Sequence, residues 1–349
     1  MLEHYGWSPE LQTQFDPYAA EGLLPGRVTV QQRGVYTVVT EAGEVAAELS
    51  GRFAHEAAPG EFPVVGDWVA AAVRPGEGTA TIQGVLPRTT SFRRKAAGDA
   101  FGEQVIAANV DTAFLVAALT RDLNVRRLER YLTMTWESGA RPVIVLTKSD
   151  IAEDLEAALL EVEAVAYGVP VHAISSVEGD GLDELRPYLA PGETVVLLGS
   201  SGAGKSTLVN VLAGEQLFAT QETRNDDRGR HTTSHRELVL LPDGGLILDT
   251  PGMRELGLWD AATGLAGTFE DIEQLELQCR FSNCAHESEP GCAIRAALAD
   301  GSLDATRYDS YVRLERELEF LERKGDPKAR AEARKLWAAR SKAMRTTAW

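Results

Sequence analysis

The sequence predicts an α/β protein in three parts: a small five-stranded β-barrel, a doubly wound α/β domain around a phosphate-binding loop, and a helical metal-binding domain at the C-terminal end. Three observations carry the prediction. Short β-rich runs separated by Gly, Pro and acidic turns fill residues 25–97. Apolar strands then alternate with amphipathic stretches over residues 98–262. All three cysteines fall between Cys279 and Cys292, inside the remaining residues 263–349.

The chain has 349 residues, enough for two to three cores. Hydrophobic residues make up 44% and charged residues 25%, and no uncharged apolar run reaches the roughly 18 residues of a membrane span. Glu3 and His4 stand where a secretory signal would need a basic start and an apolar stretch, and three clustered cysteines cannot form a disulfide framework. The expectation is a cytoplasmic monomer without membrane contact. A net charge of −17 argues against diffuse nucleic-acid binding, so RNA contacts must come from local patches. One is Arg93, Arg94 and Lys95, with Arg88 nearby; the other is the basic tail carrying Arg330, Arg334 and Lys335, for which a solvated helix face is the plain alternative.

Residues 1–24 are polar and turn-rich and read as an extension. The runs VTVQQRGVYTVVT, GEVAAELSG, GDWVAAAV and TATIQGVLP fit a barrel of the oligonucleotide-binding type, although spacing alone does not separate it from an SH3-like barrel. In the next domain VDTAFLVAAL, PVIVLT, VPVHAIS, ETVVLLG, RELVLL and GLILD are strands, with VRRLERYLTMTWESG and AEDLEAALLEVEAVAYG as helices between them. After Leu258 the chain turns helical and ends in two charged helices broken at Gly325-Asp326-Pro327.

The strongest motif is Gly199-Ser200-Ser201-Gly202-Ala203-Gly204-Lys205-Ser206, followed by Thr207, between the strand TVVLL and a helix. Its glycines let backbone amides wrap a phosphate, Lys205 reaches the β and γ oxygens, and the Ser206 hydroxyl completes magnesium coordination. Thr147-Lys148-Ser149-Asp150 ends another strand. A carboxylate there accepts from both N1 and N2 of guanine, an edge adenine lacks, which favours GTP over ATP. The plain alternative is a strand-end turn in which Asp150 caps the next helix. Asp249-Thr-Pro-Gly252 supplies a magnesium contact through Asp249 and a γ-phosphate contact through the Gly252 amide, and the loop holding His231, Thr232 and Thr233 offers another magnesium ligand. Cys279, Cys284, His286 and Cys292 form a Cys3His set suited to one structural tetrahedral zinc with no open position. The alternative is three buried cysteines and an incidental histidine.

The motif order TKSD, Ser175-Ser176, P-loop, His-Thr-Thr loop, DTPG is permuted relative to Ras-like GTPases, in which base recognition comes last. With the barrel and the Cys-x4-Cys-x-His-x5-Cys segment, it resembles the circularly permuted, ribosome-dependent family of small ribosomal subunit biogenesis GTPases over about residues 25–345. The resemblance implies a GTP hydrolase that binds GTP or GDP with Mg2+, acts late in maturation of the 30S subunit, contacts 16S rRNA, and is stimulated by that subunit. Ser175 and Ser176 join the nucleotide-binding set on this ground; Lys205, Asp249 and Gly252 take catalytic positions, and His231 or His235 is the candidate for positioning the attacking water on the ribosome, with an RNA contact or no special role as the plain alternative. Thr147 stands where the family more often has asparagine, so weaker nucleotide binding is expected, with guanine selectivity kept by Asp150; Met253 stands where Ras-like enzymes have a water-orienting glutamine, so slow intrinsic hydrolysis is expected. The alternatives are a GTP-dependent RNA-binding checkpoint with incidental hydrolysis and a P-loop small-molecule kinase.

Overall fold

The computed structural model describes residues 1–32, 34–58, 60–74, 76–95, 103–121, 123–217, 236–249 and 262–325. The first 20 residues, expected to be aperiodic, contain helix α1 (Pro9–Ala20). Ser8 caps it by accepting the Leu11 amide at 3.3 Å, and Pro9 fits the first turn because its missing N–H would be unpaired there. Leu2, Leu11 and Phe15 are buried against Trp68 and Leu86, so this segment is a lid on the barrel.

The barrel consists of β1 (Leu24–Gln32), β2 (Val35–Thr40), β3 (Gly43–Leu49), the short helix α2 (Gly51–Glu56), β4 (Trp68–Arg74) and β5 (Thr79–Val85). Its strands pair in the order β1-β2-β3-β5-β4 and close through β1–β4, with β3 parallel to β5. This closed five-stranded order is the oligonucleotide-binding arrangement. Val28, Val38, Val45, Val69 and Ile82 point inward, as the period of two requires.

A hairpin of β6 (Ser91–Lys95) and β7 (Glu103–Ala108) leads into the α/β domain. That domain runs β8 (Thr112–Ala118), α3 (Val125–Ser138), β9 (Arg141–Thr147), α4 (Leu155–Glu163), β10 (Val171–Ala173), β11 (Thr194–Leu198), α5 (Lys205–Ala213), β12 (Arg236–Leu240) and β13 (Leu246–Asp249). Strand order is β10-β9-β8-β11-β13-β12, parallel except for β12. The sequence did not predict that β12 also pairs antiparallel with β1, Val30 opposite Glu237 and Gln31 opposite Arg236. Barrel and α/β domain thereby share one 11-stranded sheet.

Arg27 fixes this junction. Almost fully buried, it donates from Nη2 to Asn109 O (3.0 Å) and Thr194 Oγ1 (2.9 Å), from Nε to Gly66 O (3.3 Å) and from Nη1 to Tyr5 O, while its guanidinium covers the Trp68 ring. Burial pulls its pKa down to about 10 against the opposing fields of Asp111 and Asp67.

The C-terminal part is helical: α6 (Ala262–Thr268), α7 (Glu270–Glu276), α8 (Ala293–Asp300) and α9 (Ala305–Gly325). It docks on α3 with little space between backbones, since a Cβ on Gly264 would lie 2.0 Å from Thr133 O. Buried Arg307 grips Asp271 at 2.8 and 2.6 Å, lies 3.4 Å from Glu129 of α3, and covers the Phe269 ring. No described helix is long and apolar enough to cross a membrane.

Candidate nucleotide site and metal centre

Strand β11 ends at Leu198 and the chain turns through residues 199–204 into α5. A Cβ on Gly199 would lie 2.3 Å from Val116 O, and Gly202 and Gly204 take left-handed φ of +82° and +87°. The loop therefore tolerates little but glycine at these positions. It lies at the C-terminal ends of parallel strands, and the first amides of α5 face outward as an anion cradle. Lys205 Nζ arches back to Gly199 O (2.7 Å) and Ser200 O (2.6 Å). Ser206 and Thr207 occupy the first turn of α5, and Ala203 is buried under the loop.

The Thr147–Asp150 segment is strapped to that loop. Thr147, buried at the end of β9, donates from Oγ1 to Ala203 O at 2.7 Å. Lys148, with φ of +63°, extends Nζ to Gly202 O at 3.0 Å. Asp150 Oδ1 accepts from Ser175 Oγ at 2.7 Å, and Ser175 Oγ is itself fixed by the amides of Val177 (3.3 Å) and Glu178 (3.0 Å). The Ser149 amide binds Ile174 O at 3.1 Å. Helix α4 is capped by Asp154, which accepts the Ala157 amide at 3.0 Å, so Asp150 is not a helix cap. Ser176 Oγ is buried and has no protein partner among the described residues, leaving a hydroxyl beside the Asp150 anchor. The geometry thus joins Thr147 to Asp150, Ser175 and the whole P-loop. Ser175 fixes the orientation of the Asp150 carboxylate.

Of the remaining expected nucleotide contacts, His231, Thr232, Thr233, His235 and Gly252 lie outside the described residues. The Asp249 backbone closes β13 next to β11, but its side chain also lies outside them.

The cysteine cluster is assembled by two helix ends. Cys279 follows α7 and Cys292 caps α8. Ligand atoms of Cys279, Cys284, His286 and Cys292 all lie within 4.8 Å of one another. The Cys279 and Cys292 sulfurs are 4.0 Å apart, too far for a disulfide and near the edge of roughly 3.7 Å that a tetrahedron with Zn–S of about 2.3 Å demands. Amides of Ala293 and Arg295 point at the Cys279 and Cys292 sulfurs (3.4 and 3.5 Å). The donor set and its spacing fit zinc.

Glu289 is a residue the motif did not identify. Its carboxylate accepts the amides of Ala285 (2.9 Å), Glu287 (3.0 Å) and Ser288 (2.9 Å), which hold its pKa down to about 2 and clamp the loop in which His286 takes a φ of +60°. Only the turn-like Ser-Glu-Pro-Gly run hints at it in sequence.

Among candidate RNA contacts, Arg93 and Arg94 lie on β6, with their Nε atoms near Ser91 Oγ (3.1 Å) and Gln104 Oε1 (3.2 Å). Lys95 shares that strand, but its side chain, like Arg330, Arg334 and Lys335, lies outside the described residues. Arg88 leaves the patch altogether: it pairs with buried Asp67 at 2.8 and 2.7 Å and caps Gly60 O and Phe62 O.

Comparison with known proteins bears on the same residues. The model of the RsgA GTPase family matches residues 85–259, half of the chain. The small ribosomal subunit biogenesis GTPase RsgA of Opitutus terrae is 48% identical over 343 residues, covering 95% of this chain and 94% of its own length. That of Streptomyces coelicolor is 46% identical, with 97% and 92% covered. Among solved structures, YjeQ from Thermotoga maritima (TM-score 0.65) and YloQ, described as a circularly permuted GTPase (TM-score 0.62), are each 27% identical and each match 85% of this chain. The matches cover 98% and 95% of those two chains.

Proposed function

The chain belongs to the RsgA GTPase family, and on that premise we propose that it couples GTP hydrolysis to release from 16S rRNA late in 30S maturation. It is a GTP-hydrolysing enzyme with a small-ribosomal-subunit partner, and the family favours hydrolysis over the kinase alternative. The observation that carries the reading is the pair of bonds from Thr147 and Lys148 to the P-loop, 2.7 and 3.0 Å, beside an Asp150 aligned by Ser175. They make base recognition and phosphate binding one rigid unit.

In this reading Asp150 accepts the guanine N1 and N2 hydrogens while the Lys148 stem covers the ring. The P-loop amides and the α5 N-terminus hold the β-phosphate, and Lys205 exchanges its two loop carbonyls for β and γ oxygens. Ser206 and Asp249, with Thr232 or Thr233, would hold the magnesium that the family implies, which would supply charge neutralisation at the transferred group. Water attacks the γ-phosphorus in line, GDP leaves with the electron pair, and His231 or His235 is the candidate for orienting that water.

Further parts of the proposal are one structural zinc on Cys279, Cys284, His286 and Cys292, and domain limits at residues 25–97, 98–262 and 263–349. A cytoplasmic monomer that touches rRNA through Arg93, Arg94, Lys95, Arg330, Arg334 and Lys335 completes it. The deciding experiment compares GTPase rates alone, with 30S and with 50S subunits. A large rise confined to 30S is expected; equal stimulation by both, or none by 30S, overturns the ribosomal reading.

A further inference from the structure

We propose that Glu276 is a positioning residue for the metal centre, committing His286 to bind through Nδ1; the inference rests on the Cys3His cluster being a zinc site. Glu276 ends α7, outside the ligand motif. Its Oε1 lies 3.3 Å from His286 Nε2 and accepts the Tyr311 hydroxyl at 3.3 Å. The opposite ring atom, Nδ1, faces the Cys279 and Cys292 sulfurs at 3.6 and 3.4 Å.

A neutral imidazole carries one N–H, and the two ring nitrogens compete for it. With the proton on Nδ1, the ring would direct a donor into the space between ligating sulfurs and a lone pair at the Glu276 carboxylate. With the proton on Nε2, the carboxylate receives a donor and the Nδ1 lone pair faces the cluster. Glu276 therefore selects the second tautomer and fixes the orientation of the ring, the role an outer carboxylate plays beside metal-bound histidines. Tyr311 fixes that carboxylate from α9, where it is buried and packs edge-on against Phe269 (5.4 Å between centroids). Ring and backbone are thus set separately: Glu276 orients the imidazole, while Glu289 holds the left-handed loop beneath it.

The test uses the full chain as wild type, Glu276→Gln, Glu276→Ala and Tyr311→Phe. Zinc affinity is read by competition with a chromophoric chelator, and long-range 1H–15N spectra of the imidazole report which nitrogen carries the proton in the zinc-loaded protein. The expected result is one zinc on the wild type with an Nε2–H tautomer, and about 10- to 100-fold weaker binding in Glu276→Ala. Glu276→Gln, which keeps an acceptor, recovers most of the affinity, and Tyr311→Phe loses less than Glu276→Ala. GTP hydrolysis without subunits stays unchanged in all three. Unaltered affinity in Glu276→Ala, or zinc on Nε2 in the wild type, overturns the positioning role while leaving the zinc site standing. A wild type that binds no zinc overturns both. Should Glu276→Ala fail to fold, the wild-type tautomer decides: Nε2–H with Nδ1 on the zinc supports the positioning role, and zinc on Nε2 overturns it.

Discussion

At the scale of single residues, the proposed guanine selectivity rests on one carboxylate, Asp150. Asp150→Asn exchanges an acceptor for a donor opposite guanine N1 and N2, and should shift preference from GTP toward XTP; a competition series with GTP, ATP and XTP reads the change, and retained GTP preference would refute the assignment. Thr147 was legible as a departure from the family's asparagine, with weaker nucleotide binding the expected consequence. Its 2.7 Å bond to Ala203 O, however, preserves the link between base segment and P-loop. That link was not legible, because a hydroxyl's partner 56 residues away leaves no local pattern. Arg88 is the opposite case: it reads as part of a basic patch yet serves buried Asp67. Burial raises the Asp67 carboxyl above its usual range, while Arg88 and the Val64 amide oppose the rise. A carboxyl whose folded pKa exceeds its unfolded value destabilises the native state as pH rises through that window. Arg88→Ala widens the window upward, so its stability loss should be about 3–5 kcal/mol near neutrality and shrink as the pH falls toward about 4. Urea unfolding at several pH values measures it.

At the scale of elements, the apolar runs and their turn residues located β8 to β13, most clearly the buried parallel strands β8, β9 and β11, which read as continuous hydrophobic stretches. Helix α1 escaped because its buried face holds only Leu11 and Phe15, too few for a visible period. The barrel's type was legible only to the level of five short strands; its parallel β3–β5 contact lies beyond any local signal. Docking of the C-terminal helices depends on Arg307, whose partners Asp271 and Glu129 come from α7 and α3. Arg307→Ala leaves Glu129 buried without its cation and should cost about 3–5 kcal/mol. Limited proteolysis should then cut first after residue 262, with nucleotide affinity nearly intact. Cys284→Ser should release the metal and open the same region; zinc release without new cleavage there would argue against a folding role.

At the scale of the whole molecule, charge acts by location. Neutralising Arg93 and Arg94 together should weaken 30S binding and flatten its salt dependence by about one log-log unit for each phosphate that goes unneutralised. Lys205→Ala should abolish hydrolysis while leaving that slope untouched. GTPase and binding measurements over a salt series separate the two. The pairing of β1 with β12 carries a further consequence. Barrel closure removes the barrel's own open margins, and β1 covers the flank of the α/β sheet that β12 would otherwise offer to other chains. The opposite flank is β10, only three residues long and therefore a poor template. Removing residues 1–97 would uncover the backbone of Arg236 and Glu237 and leave the whole outer edge of β12 open, so the remaining α/β part is expected to self-associate when expressed alone. On this account the barrel shields that flank from edge-to-edge pairing, independently of any ligand it carries.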